Sequence, residues 1–236
     1  MAEGATHVAL LDNGRKFAFT LAEVLITLGI IGVVAAMTLP SLISEKHNRE
    51  NQAALKKYYS VLQQVCMQMY IDEGQTINRL NYDRATFMKL FKKYFISVNK
   101  VNSSSVEYVE DEETGTLVYL VKEYKTFNKK TLHGSFFDDG TINIADSVMI
   151  FLERPVGGER MFISVDVNGV KKKPNLFGHD LFTFQVMDDG KVLPMGADGT
   201  MFTDHNTYCS KTSSNGSNGV SCTYKALTDK SYWKNL

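Results

Sequence analysis

A single carboxylate, Glu23, stands in an otherwise uncharged run from Phe17 to Ser44, FAFTLAEVLITLGIIGVVAAMTLPSLIS. A carboxylate on an apolar segment is costly to desolvate, so it needs a partner and marks a role beyond anchoring. Two other places gather groups capable of chemistry. Asp166-Val-Asn168-Gly169, followed by Pro174-Asn175 and Gly178-His179-Asp180, clusters oxygen ligands between two strand-like runs and opens like a calcium loop. Its twelfth position is Phe177, where an EF-hand places glutamate. The alternatives are a calcium site using Asp166, Asn168 and Asp180, or an ion-free loop closed by Asx turns. Cys209 and Cys222 enclose SKTSSNGSNGVS, and the residues alone leave a bridge or two unpaired thiols open.

Little else points to catalysis. His133, His179 and His205 are isolated and lack metal-ligand spacing. There is no serine nucleophile elbow, phosphate-binding glycine loop or Cys/His pair. Asp138-Asp139 and Asp188-Asp189, each followed by glycine, read as turn residues rather than an acid/base pair. Lys plus Arg equals Asp plus Glu at 26 each, so the chain has no net basic charge for nucleic acid. The expectation is a protein that is not an enzyme, with no cofactor other than the calcium alternative.

The elements that position these groups follow from periodicity. Val24–Ser44 holds 21 uncharged residues, and as a helix they span roughly 30 Å, the thickness of a bilayer's hydrocarbon core. Gly29, Gly32 and Ala36 give this segment a small-residue face suited to close helix packing, and Pro40 should kink or loosen it. From Asn51 to Glu73 the apolar residues narrow to one stripe, Leu55, Tyr58/Tyr59, Leu62, Val65/Cys66 and Met69, ending at Gly74. A helix over 19–74 would be about 80 Å long, its second half lying on a globular head. Cys66 falls on the stripe as a small hydrophobe.

A second helix is expected over Asp83–Phe95, with Asp83 as its N-cap. Strands follow at Val106–Glu110 and Thr116–Lys122 around the turn Asp111–Gly115. A second hairpin is expected from Ser135–Phe137 and Thr141–Ile144, then strands at Val148–Leu152, Met161–Val167 and Leu181–Met187. One long helix followed by an antiparallel set is an α+β fold. With 44% hydrophobic residues, the roughly 160 residues beyond the helix can bury one compact core.

The N-terminal residues resemble those of prepilins, the precursors of type IV pilins and type II secretion pseudopilins. Arg15 and Lys16 end a short leader, Phe19-Thr20-Leu21-Ala22-Glu23 opens the apolar run, and Pro40 lies near its far end. The resemblance implies cleavage between Ala18 and Phe19 by a membrane-embedded prepilin peptidase, then N-methylation of Phe19. Ala18 stands where the family usually has glycine, and keeps a small side chain there. Glu23 would be the fifth mature residue, paired with the amine of Phe19 on its own or a neighbouring subunit.

The implied organisation is a leader over 1–18, a long helix over 19–74 whose 19–44 part spans the membrane or forms a filament core, and an α+β head over 75–236. Arg15 and Lys16 would stay cytoplasmic, placing the head outside the inner membrane. There a Cys209–Cys222 bridge can persist, and many pilins also carry a disulfide-bounded C-terminal loop. The implied function is a filament subunit that is stored in the membrane and then polymerised through its apolar helix, with Glu23, Gly29, Gly32 and Pro40 as assembly residues. Its partners would be other pilin-type subunits, the peptidase, an inner-membrane assembly platform and lipid. The product would be a cell-surface or periplasmic filament. The alternative is an anchored extracytoplasmic binding or sensory domain that never polymerises.

Overall fold

The computed structural model describes residues 20–95, 106–110, 117–133, 136–137, 140–144, 148–153 and 160–236. The chain divides into two compact units at Ser44/Glu45. One helix, α1 (Leu21–Glu73), contributes to both and continues through Pro40 without a break. A proline ring removes only one N–H from the ladder, and the helix continues on both sides of it.

In the first unit the side chains of α1 are uncovered. In the second, α1 presents Leu55, Tyr58, Leu62, Val65, Cys66 and Met69 inward, and all six are buried. Gly74 follows at positive φ, where its amide bonds the Tyr70 carbonyl and ends the helix. The short α2 (Arg84–Phe91) starts at Asp83, whose carboxylate accepts from Thr86 N, and runs into a 3₁₀ turn at Lys92–Tyr94. Phe87 and Phe91 fix it to the core.

The stripe on α1 packs on a five-stranded antiparallel sheet of order β4 (Gly140–Asn143), β5 (Met149–Glu153), β6 (Met161–Asp166), β7 (Leu181–Val186) and β8 (Val192–Pro194). Alternation sorts each strand between two clusters. Ile150, Leu152, Ile163, Val165, Phe182 and Phe184 face α1, while Met149, Phe151, Phe162 and Leu181 fill a second core on the other side. Tyr59 stacks on Phe184 with centroids 5.3 Å apart. Both faces are covered, which explains why β5, β6 and β7 are buried along their whole length. Where polar groups enter the second face they pair across strands, as Ser164 and Thr183 do at 2.7 Å.

Edge strand β8 is closed against further pairing. Pro194 has no N–H to offer, its carbonyl accepts from Ala197 N, and the Val192 carbonyl accepts from the Tyr59 hydroxyl. A separate sheet of β1 (Val106–Glu110), β2 (Leu117–Lys125) and β3 (Thr131–His133) contributes Tyr124 and Leu132 to the second core. Two short helices, α3 (His205–Tyr208) and α4 (Cys222–Thr228), and a 3₁₀ turn at Tyr232–Lys234 complete the chain.

The α+β layout expected from sequence is the one found, and β1 pairs with β2 antiparallel as the hairpin reading required. One expected strand is not there. Phe136 and Phe137 lie in a turn, because both rings are needed in the second core, where Phe137 packs edge-on to Phe151 at 4.7 Å. Gly140–Asn143 therefore pairs with β5 instead. The turn residues 111–115 and Asp138-Asp139 lie outside the described residues.

Candidate functional site

Glu23 is held by its own helix. Thr20 is the N-cap and Glu23 the third helical residue, and the two exchange bonds. The Glu23 amide donates to Thr20 Oγ1 at 3.2 Å, and Glu23 Oε2 accepts from Thr20 N and Thr20 Oγ1, each at 2.8 Å. This is a capping box, visible in the sequence as Thr20-x-x-Glu23 and missed by a reading that sought the carboxylate's partner in the Phe19 amine of the same or a neighbouring subunit. Glu23 Oε1 has no partner among the described residues. The carboxylate therefore starts the helix and keeps one oxygen for a second donor. Ala18 and Phe19 lie outside the described residues.

Beyond the cap, α1 is long and apolar enough to cross a membrane, by length and composition, and none of its most apolar stretch is buried. Thr27, Thr38 and Ser41 return their hydroxyls to backbone carbonyls of the same helix, so they add no unsatisfied polar group. Gly29 and Gly32 have no neighbouring atoms where a Cβ would stand, leaving a shallow face open for another helix.

The two carboxylates of the head loop are buried structural hubs. Asp166 Oδ1 accepts from Asn168 N and Gly169 N, and its Oδ2 accepts from the Tyr124 hydroxyl at 2.6 Å. Asp180 caps the far end of the loop, accepting from Asn175 N at 2.8 Å and Leu176 N at 2.7 Å. Burial pushes the Asp166 carboxyl up to about 6. It pushes Asp180 up to about 7, with the Asp166 charge adding to the effect. Asn168 Oδ1 and Asn175 Oδ1 are buried without partners among the described residues. The three calcium candidates Asp166, Asn168 and Asp180 thus share one neighbourhood, and their carboxylates are already occupied by donors that order the loop as Asx turns do. No group of three or more His, Cys, Asp or Glu with metal-binding geometry occurs among the described residues.

Cys209 and Cys222 form a disulfide with Cα atoms 5.0 Å apart. Asn218 organises the stretch that the bridge encloses. Its side chain donates to the Ser210 and Ser213 carbonyls and accepts from Ser210 N. Cys66 is free and buried, and burial pushes its thiol up to about 12, so it is unreactive. His205 approaches Ser221 Oγ at 3.2 Å, yet neighbouring Asp204 caps α3 through Asn206 N and Thr207 Oγ1, so no relay forms. Asp188 and Asp189 sit in the β7–β8 turn, bound by Arg79 and Lys191.

Capped helix start, uncovered apolar face and open glycines all fall in one segment, and that segment is also where likeness to known proteins lies. Residues 13–39 match the family model described as the prokaryotic N-terminal methylation motif, which is the type IV pilin and pseudopilin signature. The likeness covers this N-terminal segment alone. No curated protein and no solved structure matches the chain.

Proposed function

We propose that this protein is a subunit of a type IV pilus or type II secretion pseudopilus filament. It is made with residues 1–18 as a leader, cut between Ala18 and Phe19, and methylated on the new Phe19 amine. The helix over 19–44 holds it in the inner membrane with its head outside, and an inner-membrane platform then draws it into a filament through the same helix. The observation that carries this reading is the methylation motif over residues 13–39 on a helix whose apolar face is uncovered. In this account the head is a structural module rather than an enzyme.

Glu23 has two tasks under this reading. Oε2 caps the helix through Thr20, and Oε1 is left for the Phe19 ammonium of the same or a neighbouring subunit. No Lys or Arg occurs between Phe19 and Ser44, so within this segment that amine is the only cation to pair with Glu23. An unpaired carboxylate in hydrocarbon costs several kcal/mol, so pairing across subunits favours one axial register. Mass spectrometry of the membrane-extracted protein should give a chain starting at Phe19 and carrying one added methyl group. Glu23→Gln should insert and fold normally, keep the Thr20 cap through its amide oxygen, and enter filaments poorly. A mature chain starting at Met1, or a variant incorporated as well as the wild type, overturns the reading.

A further inference from the structure

Three Asn-Gly pairs lie among the described residues, Asn168-Gly169, Asn215-Gly216 and Asn218-Gly219, and a fourth, Asn13-Gly14, lies outside them. Such a pair can close on itself. The glycine amide nitrogen attacks the asparagine Cγ, and glycine has no Cβ to hinder the approach. The three pairs are chemically alike, but their surroundings differ in what the step needs: a free glycine amide, a polarised side-chain carbonyl and access to water.

Two of the pairs are held shut. Gly169 N donates to Asp166 Oδ1 at 2.7 Å, and Asn168 Oδ1 is buried with no donor among the described residues. Gly219 N donates to the Tyr208 carbonyl at 2.7 Å. Asn218 is fully buried, and its side chain is committed to Ser210 and Ser213. Attack at either site first breaks a buried hydrogen bond and leaves an unsatisfied acceptor behind.

Asn215 differs on every count. It is exposed, and Gly216 N makes no hydrogen bond among the described residues. Ser217 N donates to Asn215 Oδ1 at 2.8 Å, an Asx turn that folds the carboxamide back over the Gly216 peptide. That oxygen becomes the oxyanion when Cγ is attacked, so the Ser217 amide is already aimed at the charge that develops. The Asn215 carbonyl accepts from Asn218 N at 3.0 Å. Both donors belong to the same turn, so the backbone can shift there without unpacking the core.

We infer that Asn215 is a site of self-modification, converted without an enzyme to aspartate and isoaspartate through a succinimide formed with Gly216. The bond from Gly216 N to Cγ forms as the N–H proton passes to water or hydroxide. The Cγ–Nδ2 bond then breaks, and Nδ2 takes a proton from water and leaves as ammonia. Water opens the ring at either carbonyl, giving aspartate or isoaspartate. One water is consumed and one ammonia released, with no oxidant and no cofactor. The product carries a negative charge inside the loop that Cys209 and Cys222 close. Only the loop's own residues take part, so the inference stands apart from the filament reading.

The test ages the full-length protein, folded in an uncharged detergent with its disulfide intact, at mildly alkaline pH, and maps its peptides by mass spectrometry. Asn215 should convert at least about ten-fold faster than Asn168 or Asn218, and faster still as pH rises. Unfolding in urea should bring the three rates within a few-fold of one another, because the bonds that hold two of them shut are gone. Gly216→Ala should slow conversion at Asn215 several-fold, since its Cβ crowds the attacking nitrogen. Conversion at Asn168 or Asn218 as fast as at Asn215 in the folded protein overturns the inference. So does a lead for Asn215 that survives undiminished in urea, which would trace to sequence rather than to fold. A rate indifferent to pH would mean direct hydrolysis and overturn the succinimide route.

Discussion

Helix α1 holds two regions that differ in how they treat the same kinds of side chain. In its first part Leu21 is 77% exposed and Met37 76%, with Ile26, Leu28 and Ile31 also uncovered. In its second part Leu55, Leu62 and Met69 are at 0%. The first part is apolar all round, and no described residue covers it. The second is apolar on one stripe and fills the face of a sheet. A helix apolar on all sides calls for a surrounding of lipid or other helices, whereas a striped one calls for a single partner surface. The lesson is that hydrophobicity fixes how much surface must be covered, and its angular spread fixes by what.

The largest effect should separate the two parts. Leu62→Ala removes a fully buried side chain and should lower head stability by about 2–5 kcal/mol. Leu28→Ala, on the uncovered part, should leave head stability within about 0.5 kcal/mol. Trp233, the chain's one tryptophan, is buried against Phe182 and reports head unfolding by fluorescence in micelles. Equal effects at the two positions would erase the distinction between the parts.

Next comes the staple. The Cys209–Cys222 bridge closes a short loop, worth roughly 3 kcal/mol in the chain-entropy account. Replacing both residues by serine should lower head stability by about that amount, with a further cost because Cys222 is fully buried. Cys66→Ala should matter less, since only a small side chain leaves the stripe. Thiol mapping without reductant should find Cys66 as the one free thiol, released only on unfolding.

How much of this was legible in the sequence depends on how local the cause is. The apolar run, the stripe from Leu55 to Met69, the Asp83 cap and the Asp-Gly turn at 188–190 all depend on neighbours within a turn or two, and they read directly. Strands β5 to β7 were visible as apolar runs, but not that both their faces are covered, which requires knowing that Tyr124, Phe136 and Phe137 close the far side. Strand β8 is only three residues ending in proline, too short for periodicity to register. The helices at His205–Tyr208 and Cys222–Thr228 have only four and seven residues, too few for periodicity to register, and they flank the Ser/Asn/Gly-rich loop that the disulfide closes. The Thr20–Glu23 cap was legible as a spacing. It was passed over because a carboxylate near a membrane invites a search for a distant partner.

The smallest effect is a pH profile that sets the head apart from the helix segment. Asp166 and Asp180 have folded values of about 6 and about 7, raised by burial above an unfolded value near 4. The folded head thus binds more protons than the unfolded chain in that interval. The contribution of this pair is full below about pH 4 and is lost as pH rises through 6 to 7. His179 acts with the opposite sign. Burial, and then the charges of Lys129 and Lys211, lower it to about 4, so its contribution is present above about pH 6.5 and lost as pH falls. The exposed carboxylates Asp72, Asp189, Asp204 and Asp229 are held low by hydrogen bonds and reinforce the loss in acid. Between about pH 4 and 6 the two carboxyls outweigh the single histidine, so the melting temperature reported by Trp233 should pass through a maximum near pH 4 and fall on both sides. Asp180→Asn should flatten the fall between about pH 4 and 6, where only Asp166 is then left against His179, and leave in place the acid limb that the exposed carboxylates set. A melting temperature that climbs steadily to pH 8.5 would mean that both buried carboxylates are ionised throughout, held so by the backbone amides and the Tyr124 hydroxyl that surround them.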